Sequence, residues 1–310
     1  MTEKSSQVRI DAQALGHFSR KLLDQGIDVP PWDSFHHFFD AGMDMVSYLL
    51  VLDSLNFCFW PPQGKSKWEI EYKSRRVSGY HALAASLKKA LESGMPIIKA
   101  QYLAQLSLSE LKRILGGQGE LQLLKQRLQS VHELGKSLLG EYSGLGYRLV
   151  EAAQGSAVRL SRLLSEKMPS FRDEAEYHGH KVFFYKRAQL FAADLYGAFG
   201  GKNWGNFRDM NKLTAFADYK LPQVLRHLGI LHYSKPLARK VDRLVYLKAG
   251  SPEEIEIRAN TIWTVELIRE ELEQMGKGLR SFEIDWMLWN LGQQEAFKVK
   301  PYHRTLTVFY

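Results

Sequence analysis

The chain has 310 residues, of which 45% are hydrophobic and 25% are charged, so it can bury the core of an ordinary globular protein. Its net charge of +8 favours anionic partners such as phosphate esters, but the basic residues are dispersed and form no tail typical of a nucleic-acid-binding arm. The single cysteine, Cys58, excludes a disulfide framework within the chain and is expected to be a buried, inert thiol.

Helical periodicity dominates the first half of the chain. The spacing of apolar residues predicts helices, in chain order, over residues 11–24, 43–55, 79–92, 121–139 and 146–166. Ser107 stands three residues before Glu110, as in a capping box, and predicts another short helix. The alternating sequence WEIEY at residues 68–72 predicts a strand.

The second half continues the helical pattern. An apolar run at residues 182–199 carries three embedded charges, Lys186, Arg187 and Asp194. Helices are predicted over residues 253–275 and 281–291, and a strand over residues 305–310. Because the strands are few, we predict a mainly α fold, with one domain over residues 1–310 that can consist of two closely packed helical lobes.

The polar amino terminus, MTEKSSQVRID, lacks the apolar segment of a signal peptide. No uninterrupted apolar stretch reaches the roughly 20 residues that a membrane helix needs. We therefore expect a soluble, cytoplasmic protein without a membrane partner.

Residues 213–231, LTAFADYKLPQVLRHLGIL, carry a lone carboxylate, Asp218, among apolar and aromatic residues. A carboxylate in such surroundings loses hydration, so it is either satisfied by hydrogen bonds or chemically useful. One interpretation is a helix cap, because Asp is a favoured capping residue and Pro222 follows closely. The other interpretation is a catalytic carboxylate, and the local sequence leaves both open.

Residues 222–229 and 234–242 resemble two short helices around a glycine hairpin. Such a corner can present backbone N–H groups to a phosphate, and Lys220 lies next to it. An ordinary helical corner with solvated surface charges explains the same pattern.

Residues 282–291, FEIDWMLWNL, place Asp285 among tryptophans. On a helix, Asp285 and Trp289 share a face, where a carboxylate could accept hydrogen bonds from the N–H edge of a guanine-like base while a ring stacks on it. The alternative is a helix cap followed by core tryptophans.

Motifs for other chemistries are absent: the chain has no GxGxxG, Walker A, HExxH or GxSxG sequence. The adjacent His36 and His37 and the pair His178 and His180 are weak indications of a metal, and incidental surface histidines are the favoured interpretation. We therefore predict no cofactor and no metal.

Several segments taken together resemble the queuosine salvage protein family from about residue 32 to residue 310. They are SLNFCFWPP, WEIEYKS, SGYHALAASLKKALESGMPI, FFYKRAQLFAADLYGAF, LTAFADYKLPQVLRHLGIL, EIEIRANTIWTVELI and PYHRTLTVFY, in matching order and spacing. The resemblance implies hydrolysis of the N-glycosidic bond of queuosine 5′-phosphate, with release of the base queuine for reuse in tRNA modification. It also implies a helical fold related to the helix-hairpin-helix DNA glycosylases and no obligatory nucleic-acid partner.

The resemblance also implies roles for individual residues. Asp218 would be the nucleophile or the stabiliser of the transition state. Lys186 and Lys220 would each orient Asp218 or hold the 5′-phosphate. The substrate-contacting positions besides Asp218 would be His37, Phe216, Asp285, Trp286 and Asn290. Trp286 and Asn290 stand where we expect Tyr and Asp in the family, so they keep stacking and hydrogen bonding but remove a hydroxyl and a charge. The alternative functions are a glycosylase acting on another nucleoside or DNA base, and a tRNA-binding module without catalysis.

Overall fold

In a computed structural model that describes residues 2–26 and 28–310, except for the side chain of Glu3, the chain is mainly helical with a few short strands. The α-helices are α1 (Ala12–Asp24), α2 (Met43–Leu55), α3 (Gly79–Glu92), α4 (Ala100–Gln105), α5 (Leu108–Leu115), α6 (Leu124–Glu141), α7 (Gly146–Ala152), α8 (Ala157–Lys167), α9 (Lys186–Ala198), α10 (Lys220–His227), α11 (Lys235–Asp242), α12 (Pro252–Gln274) and α13 (Ser281–Leu291). The strands are β1 (Val8–Ile10), β2 (Glu69–Tyr72), β3 (Arg75–Ser78), β4 (Glu174–Tyr177), β5 (His180–Phe183) and β6 (Leu231–Tyr233). None of the helices in the described ranges is long and apolar enough to cross a membrane.

The strands form three antiparallel pairs, β1 with β6, β2 with β3, and β4 with β5. The second and third pairs are hairpins with two-residue turns, Lys73–Ser74 and His178–Gly179, whose four residues all have positive φ angles of 49°, 60°, 49° and 77°. Such turns match the twist of a hairpin. His178 is therefore a turn residue.

Several sequence predictions are confirmed. Helices α2, α3 and α13 have the predicted bounds, and α1 begins one residue later because Asp11 caps it by accepting a hydrogen bond from the amide of Ala14. The capping box of α5 is also present, with Ser107 and Glu110 each accepting from the other's amide. These elements have strong local determinants, which explains why the sequence specifies them.

The single helix predicted over residues 146–166 is wrong, because the chain breaks it into α7 and α8. Gln154 and Gly155 have φ angles of 52° and 69°, which lie outside the helical region. Ser156 then caps α8 by accepting a hydrogen bond from the Arg159 amide at 3.0 Å. The glycine ends one helix and the capping serine begins the next. These local signals override the helical periodicity of the apolar residues.

Two further predictions are corrected. The strand over residues 305–310 is wrong, because this segment forms no strand and the adjacent Arg304 makes only an isolated bridge to Tyr246. The burial is also the reverse of that in a strand with its apolar residues facing the core, since Leu306 is exposed while Thr305 and Thr307 are buried. The corner after α10 is not a simple hairpin between two helices, because β6 lies between α10 and α11 and pairs with β1.

The described residues divide into two units, each with its own core. The first unit comprises Met1–Pro31, Asp173–Lys186 and Met210–Thr307, and the second comprises Trp32–Arg172, Arg187–Asp209 and Val308–Tyr310. Whether they act as one domain stays a prediction.

The core of the first unit surrounds α10, α12 and α13, together with α1. Helix α12 carries buried charges as well as apolar residues, and one of them, Glu256, accepts hydrogen bonds from the amides of Gln7 at 2.6 Å and Val8 at 3.1 Å. This carboxylate therefore ties β1 to α12. A second small cluster contains Tyr177, Phe184, Ala217, Ile255 and Ala259.

The second unit is centred on α2, which is buried on nearly every side. Two buried arginines cap the carboxyl end of α2. Arg187 donates to the carbonyls of Asp53 at 2.9 Å and Ser54 at 2.6 Å, and Arg127 donates to the carbonyl of Leu55. A helix end that is buried must have its last carbonyls satisfied, and a cation also matches the negative end of the helix dipole.

Helices α4 and α6 of this unit approach closely at Gly135. A Cβ atom at this position would lie 2.4 Å from the amide nitrogen of Ala104 and 2.8 Å from the carbonyl oxygen of Ala100. Only glycine permits this spacing. Cys58, which stands among aromatic residues in the sequence, is fully buried, as expected for an inert thiol.

Candidate active site around Asp218

Asp218 lies in a segment without helix or strand, two residues before the start of α10 at Lys220. Its Oδ1 atom accepts hydrogen bonds from the amides of Lys220 at 2.7 Å and Leu221 at 3.0 Å. The carboxylate therefore caps the first turn of α10, which begins at Lys220 and contains Pro222 two residues later. Both amides bind the same oxygen, and among the described residues none donates a hydrogen bond to Oδ2.

The charge state of Asp218 is set by opposing effects. Its side chain is only 8% exposed, and burial raises the pKa of the carboxyl above its ordinary value. The positive charge of Lys186 and the two amide hydrogen bonds oppose this rise in pKa. Lys186, the first residue of α9, is itself 6% exposed, so the structure brings the two predicted catalytic residues into electrostatic contact.

A buried ion pair holds the backbone at both of these residues. Arg258, on α12, donates to Asp173 through Nη1 at 2.8 Å and Nη2 at 2.5 Å. The Nε atom of Arg258 donates to the carbonyl oxygen of Ala217 at 3.0 Å, directly before Asp218. The same Asp173 accepts the amide of Lys186 at 3.2 Å. We call this arrangement the Asp173–Arg258 clamp. It fixes the backbone from which the side chains of Lys186 and Asp218 extend.

A second contact holds the segment before Asp218. Asp285, on α13 and 3% exposed, accepts the amide of Phe216 at 2.7 Å through Oδ2. Phe216 itself is 2% exposed. The structure thus brings Asp285 and Phe216 together, and one oxygen of Asp285 supports the backbone.

The two other predicted site residues of α13, Trp286 and Asn290, are less buried than Asp285. Trp286 is half-buried and packs edge-on against Phe282, with 5.1 Å between ring centroids. Asn290 is exposed, and its Nδ2 donates to the carbonyl of Trp286 at 2.8 Å. One proton of the Asn290 amide is therefore used within its own helix.

Lys220 is half-buried at the start of α10. Its Nζ donates to Gln223 Oε1 and to the carbonyl of Gly292, both at 3.3 Å, and lies 5.6 Å from the ring centroid of Tyr302. These contacts direct the ammonium group toward the carboxyl end of α13, where it meets the negative end of a helix dipole.

His37 belongs to the second unit and is buried, so it is not an incidental surface histidine. Its Nδ1 lies 2.6 Å from the carbonyl oxygen of Asp33, which can only accept, so Nδ1 carries the proton. Its Nε2 lies 2.8 Å from the hydroxyl of Tyr80, which is in turn 3.3 Å from Asp194 Oδ2. Burial lowers the pKa of His37 to about 4, so the ring is neutral at pH 7.

Comparisons with known proteins agree with the resemblance. The family model described as "Queuosine salvage protein" matches residues 36–310. The chain belongs to the queuosine salvage protein family. It is 44% identical over 310 residues to the queuosine 5′-phosphate N-glycosylase/hydrolase of Sphaerobacter thermophilus, with 100% of this chain and 95% of the relative covered.

Eukaryotic members of the family are also similar. The mouse protein of the same name is 36% identical over 325 residues, with 100% of this chain and 96% of the relative covered. The Schizosaccharomyces pombe protein is 32% identical over 295 residues, covering 91% of this chain and 85% of the relative.

The sequence did not indicate the residues that support the predicted site. Arg258 and Asp173 are 85 positions apart, and the run EIEIR on α12 looks like an ordinary solvated face. The local indication for Arg258 is that polar residues recur on a helix that also carries Ile255 and Ile257. Asp173 lies outside the helices and strands and has no such indication. Tyr80, the partner of His37, follows a glycine at a helix start and gives no such indication.

Proposed function

We propose that this protein hydrolyses the N-glycosidic bond of queuosine 5′-phosphate and releases queuine. The observation that carries the proposal is a buried carboxylate, Asp218, held by the first turn of α10 and faced by the charge of Lys186, in a chain similar over its whole length to hydrolases of this name.

The reaction breaks the bond between ribose C1′ and the base nitrogen, and the electron pair leaves with the base. Positive charge develops on C1′ and the ring oxygen, as in glycoside hydrolysis. An ionised Asp218 stabilises this charge, either through space or by forming a covalent bond to C1′. Water then supplies a hydroxyl group to C1′ and a proton to the base, which yields ribose 5-phosphate and queuine.

The environment of Asp218 supports this role. Oδ1 is fixed by two amides, so Oδ2 is the oxygen that would face C1′. Burial lowers the local dielectric, which strengthens the electrostatic effect of an ionised carboxylate, and the positive charge of Lys186 favours that ionised form. The carboxylate is thus positioned before substrate binds, which avoids reorganisation during the reaction.

The leaving base is a 7-deazaguanine and has no N7 to protonate, so its departure needs support elsewhere on the ring. We assign Asp285 and His37 to its polar edge, and Phe216, Trp286 and Asn290 to stacking and hydrogen bonding with the base.

Lys186 and Lys220 are the candidates for the 5′-phosphate, and Lys186 also orients Asp218. Binding energy from a phosphate that does not react can be used to lower the barrier at C1′. The nucleoside queuosine should therefore react more slowly than queuosine 5′-phosphate. Equal kcat/KM values for the two substrates would contradict this assignment.

The finer fold assignment belongs to the same proposal. We propose that the helical arrangement is related to the helix-hairpin-helix DNA glycosylases, with α10, β6 and α11 at the corner, and that the protein acts in the cytoplasm on a free nucleotide. A requirement for tRNA or DNA in the hydrolysis assay would contradict the last point.

The direct test is incubation of the purified protein with queuosine 5′-phosphate and detection of free queuine by mass spectrometry. The wild-type protein should release one queuine per ribose 5-phosphate, and Asp218→Asn should release queuine at least about 1,000-fold more slowly. Base release from a damaged DNA duplex but not from queuosine 5′-phosphate would favour the alternative glycosylase. Tight, salt-sensitive tRNA binding without base release would favour a binding module.

A further inference from the structure

Three potential metal ligands meet in the second unit, outside the set of residues assigned to the substrate. Asp33 Oδ2 lies 2.6 Å from His36 Nδ1 and 3.7 Å from His81 Nε2. The three ligand atoms all lie within 4.8 Å of one another. Their side chains are 33%, 17% and 30% exposed, so an ion could enter from solvent.

The spacing suits a small divalent ion. Two atoms that each lie about 2.05 Å from a tetrahedral Zn²⁺ are about 3.3 Å apart. The separations from Asp33 Oδ2, 2.6 Å and 3.7 Å, lie on either side of this value. The separation between the two histidine nitrogens is within 4.8 Å, so shifts of up to about 1.5 Å in these distances bring the three atoms to a common centre. Two imidazoles and one carboxylate form a donor set that suits Zn²⁺ and its neighbours better than Mg²⁺ or Ca²⁺.

The ligands are already oriented by the protein. Asp33 Oδ1 accepts the amides of Phe35 at 3.0 Å and His36 at 3.2 Å, which turns Oδ2 toward the histidines. The rings of His36 and His81 stack with 4.5 Å between centroids and 29° between planes. Little conformational entropy is therefore left to lose when a metal binds.

We propose that Asp33, His36 and His81 form a binding site for one divalent transition-metal ion such as Zn²⁺, with solvent in the remaining position. On binding, the ion replaces the hydrogen bond between His36 Nδ1 and Asp33, and the ring proton of His36 moves to Nε2. No redox change is needed.

The site has a structural consequence. Residues 32–42 form no helix or strand and are held to α3 by His37 with Tyr80 and by Lys88, whose Nζ donates to the carbonyls of Ser34 and Phe35 at 3.2 Å. A metal shared by this segment and His81 of α3 would add a cross-link beside His37. The ion would thereby stabilise the segment that carries this predicted substrate contact.

The test is metal binding by the untagged, full-length protein after treatment with EDTA and dialysis. Titration with ZnCl₂ against a chromophoric chelator should show one site. His81→Phe keeps a stacking ring but removes the ligand nitrogen, and it should weaken Zn²⁺ binding at least about 10-fold, since loss of an outer-sphere partner alone costs 10- to 100-fold. His36→Gln should weaken it similarly, and the control His180→Ala, an exposed histidine outside the cluster, should leave it unchanged.

Folding of each variant is checked by circular dichroism in EDTA. Zn²⁺ should raise the melting temperature of the wild-type protein and of His180→Ala but not of His81→Phe, because a ligand stabilises only the state that binds it. The proposal is overturned if the wild-type protein binds no Zn²⁺, or if folded His81→Phe and His36→Gln bind it as tightly as the wild-type protein. Because the readout is binding, this result is independent of the proposed hydrolase activity.

Discussion

The Asp173–Arg258 clamp offers a test of how the site is positioned, because one side chain reaches the backbone of both predicted catalytic residues. The perturbation is Arg258→Lys, which keeps a positive charge beside Asp173 but loses the bidentate geometry and the Nε hydrogen bond to the carbonyl of Ala217. The side chain of Arg258 is 3% exposed, so the remaining groups cannot be satisfied by bulk water.

The magnitude follows from these contacts. Breaking a buried ion pair outright costs about 3–5 kcal/mol, because the remaining charge is left uncompensated. Lysine retains part of the Coulomb energy, so the loss should be smaller than this. We expect the free energy of unfolding to fall by about 1–3 kcal/mol, which is the cost of leaving buried acceptors such as a carbonyl and a carboxylate oxygen without donors. A displacement of Asp218 by about 1 Å should lower kcat by about 100-fold.

Three measurements separate the effects. Denaturant unfolding gives the loss of stability, and steady-state hydrolysis of queuosine 5′-phosphate gives kcat and KM. Arg269→Lys, on the same helix but half-exposed and paired only with surface glutamates, is the matched control and should change neither stability nor kcat appreciably. A folded Arg258→Lys protein with wild-type kcat would refute the positioning role, because it would show that Asp218 does not depend on the clamp.

Three other predictions concern single residues. Lys186→Met removes the charge that opposes the burial-raised pKa of Asp218, so the acidic limb of the kcat/KM–pH profile should move to higher pH; an unmoved limb in an active variant would show that the two charges are not coupled. Asp218→Ala should lower the free energy of unfolding by about 1 kcal/mol through loss of the cap, whereas Asp218→Asn, which keeps an accepting oxygen, should lower it less; equal losses in urea unfolding would argue against the cap. Arg127→Met should lower the free energy of unfolding by at least about 3 kcal/mol, because it removes the donors to several buried carbonyls, including those of Leu55 and Cys58. In the same assay, Lys125→Met on the exposed face of α6 should be nearly neutral.

The parts of the fold that could be predicted from sequence are those with local determinants. Helix α5 follows from the Ser107–Glu110 capping box, and α13 from an apolar run with clear ends. The prediction failed where a local stop interrupts a long apolar pattern, as at Gly155, or where a strand depends on a distant partner, as β6 depends on β1. Residues 305–310 show the opposite error, since their alternation has no partner to form a sheet.

The candidate site divides in the same way. The sequence around Asp218 predicted a buried carboxylate at a helix start, and the structure shows that it caps α10. Capping and catalysis are compatible, because the cap occupies one oxygen only. The role of Arg258 could not be predicted, because its partners Asp173 and Ala217 are 85 and 41 residues away and no local pattern marks the contact. The catalytic and substrate-binding assignments stay predictions that rest on the family resemblance.

The most direct measurement of the central claim is queuine release from queuosine 5′-phosphate by the wild-type protein and by Asp218→Asn at pH 7. The substitution preserves the size of the side chain and an oxygen for the amides of Lys220 and Leu221, so the fold should be retained. We expect the wild-type protein to release queuine and the variant to be slower by at least about 1,000-fold, the upper range for losing one preorganised electrostatic group. A folded Asp218→Asn protein that releases queuine at nearly the wild-type rate would contradict the account, and Asp218 would then be a helix cap alone.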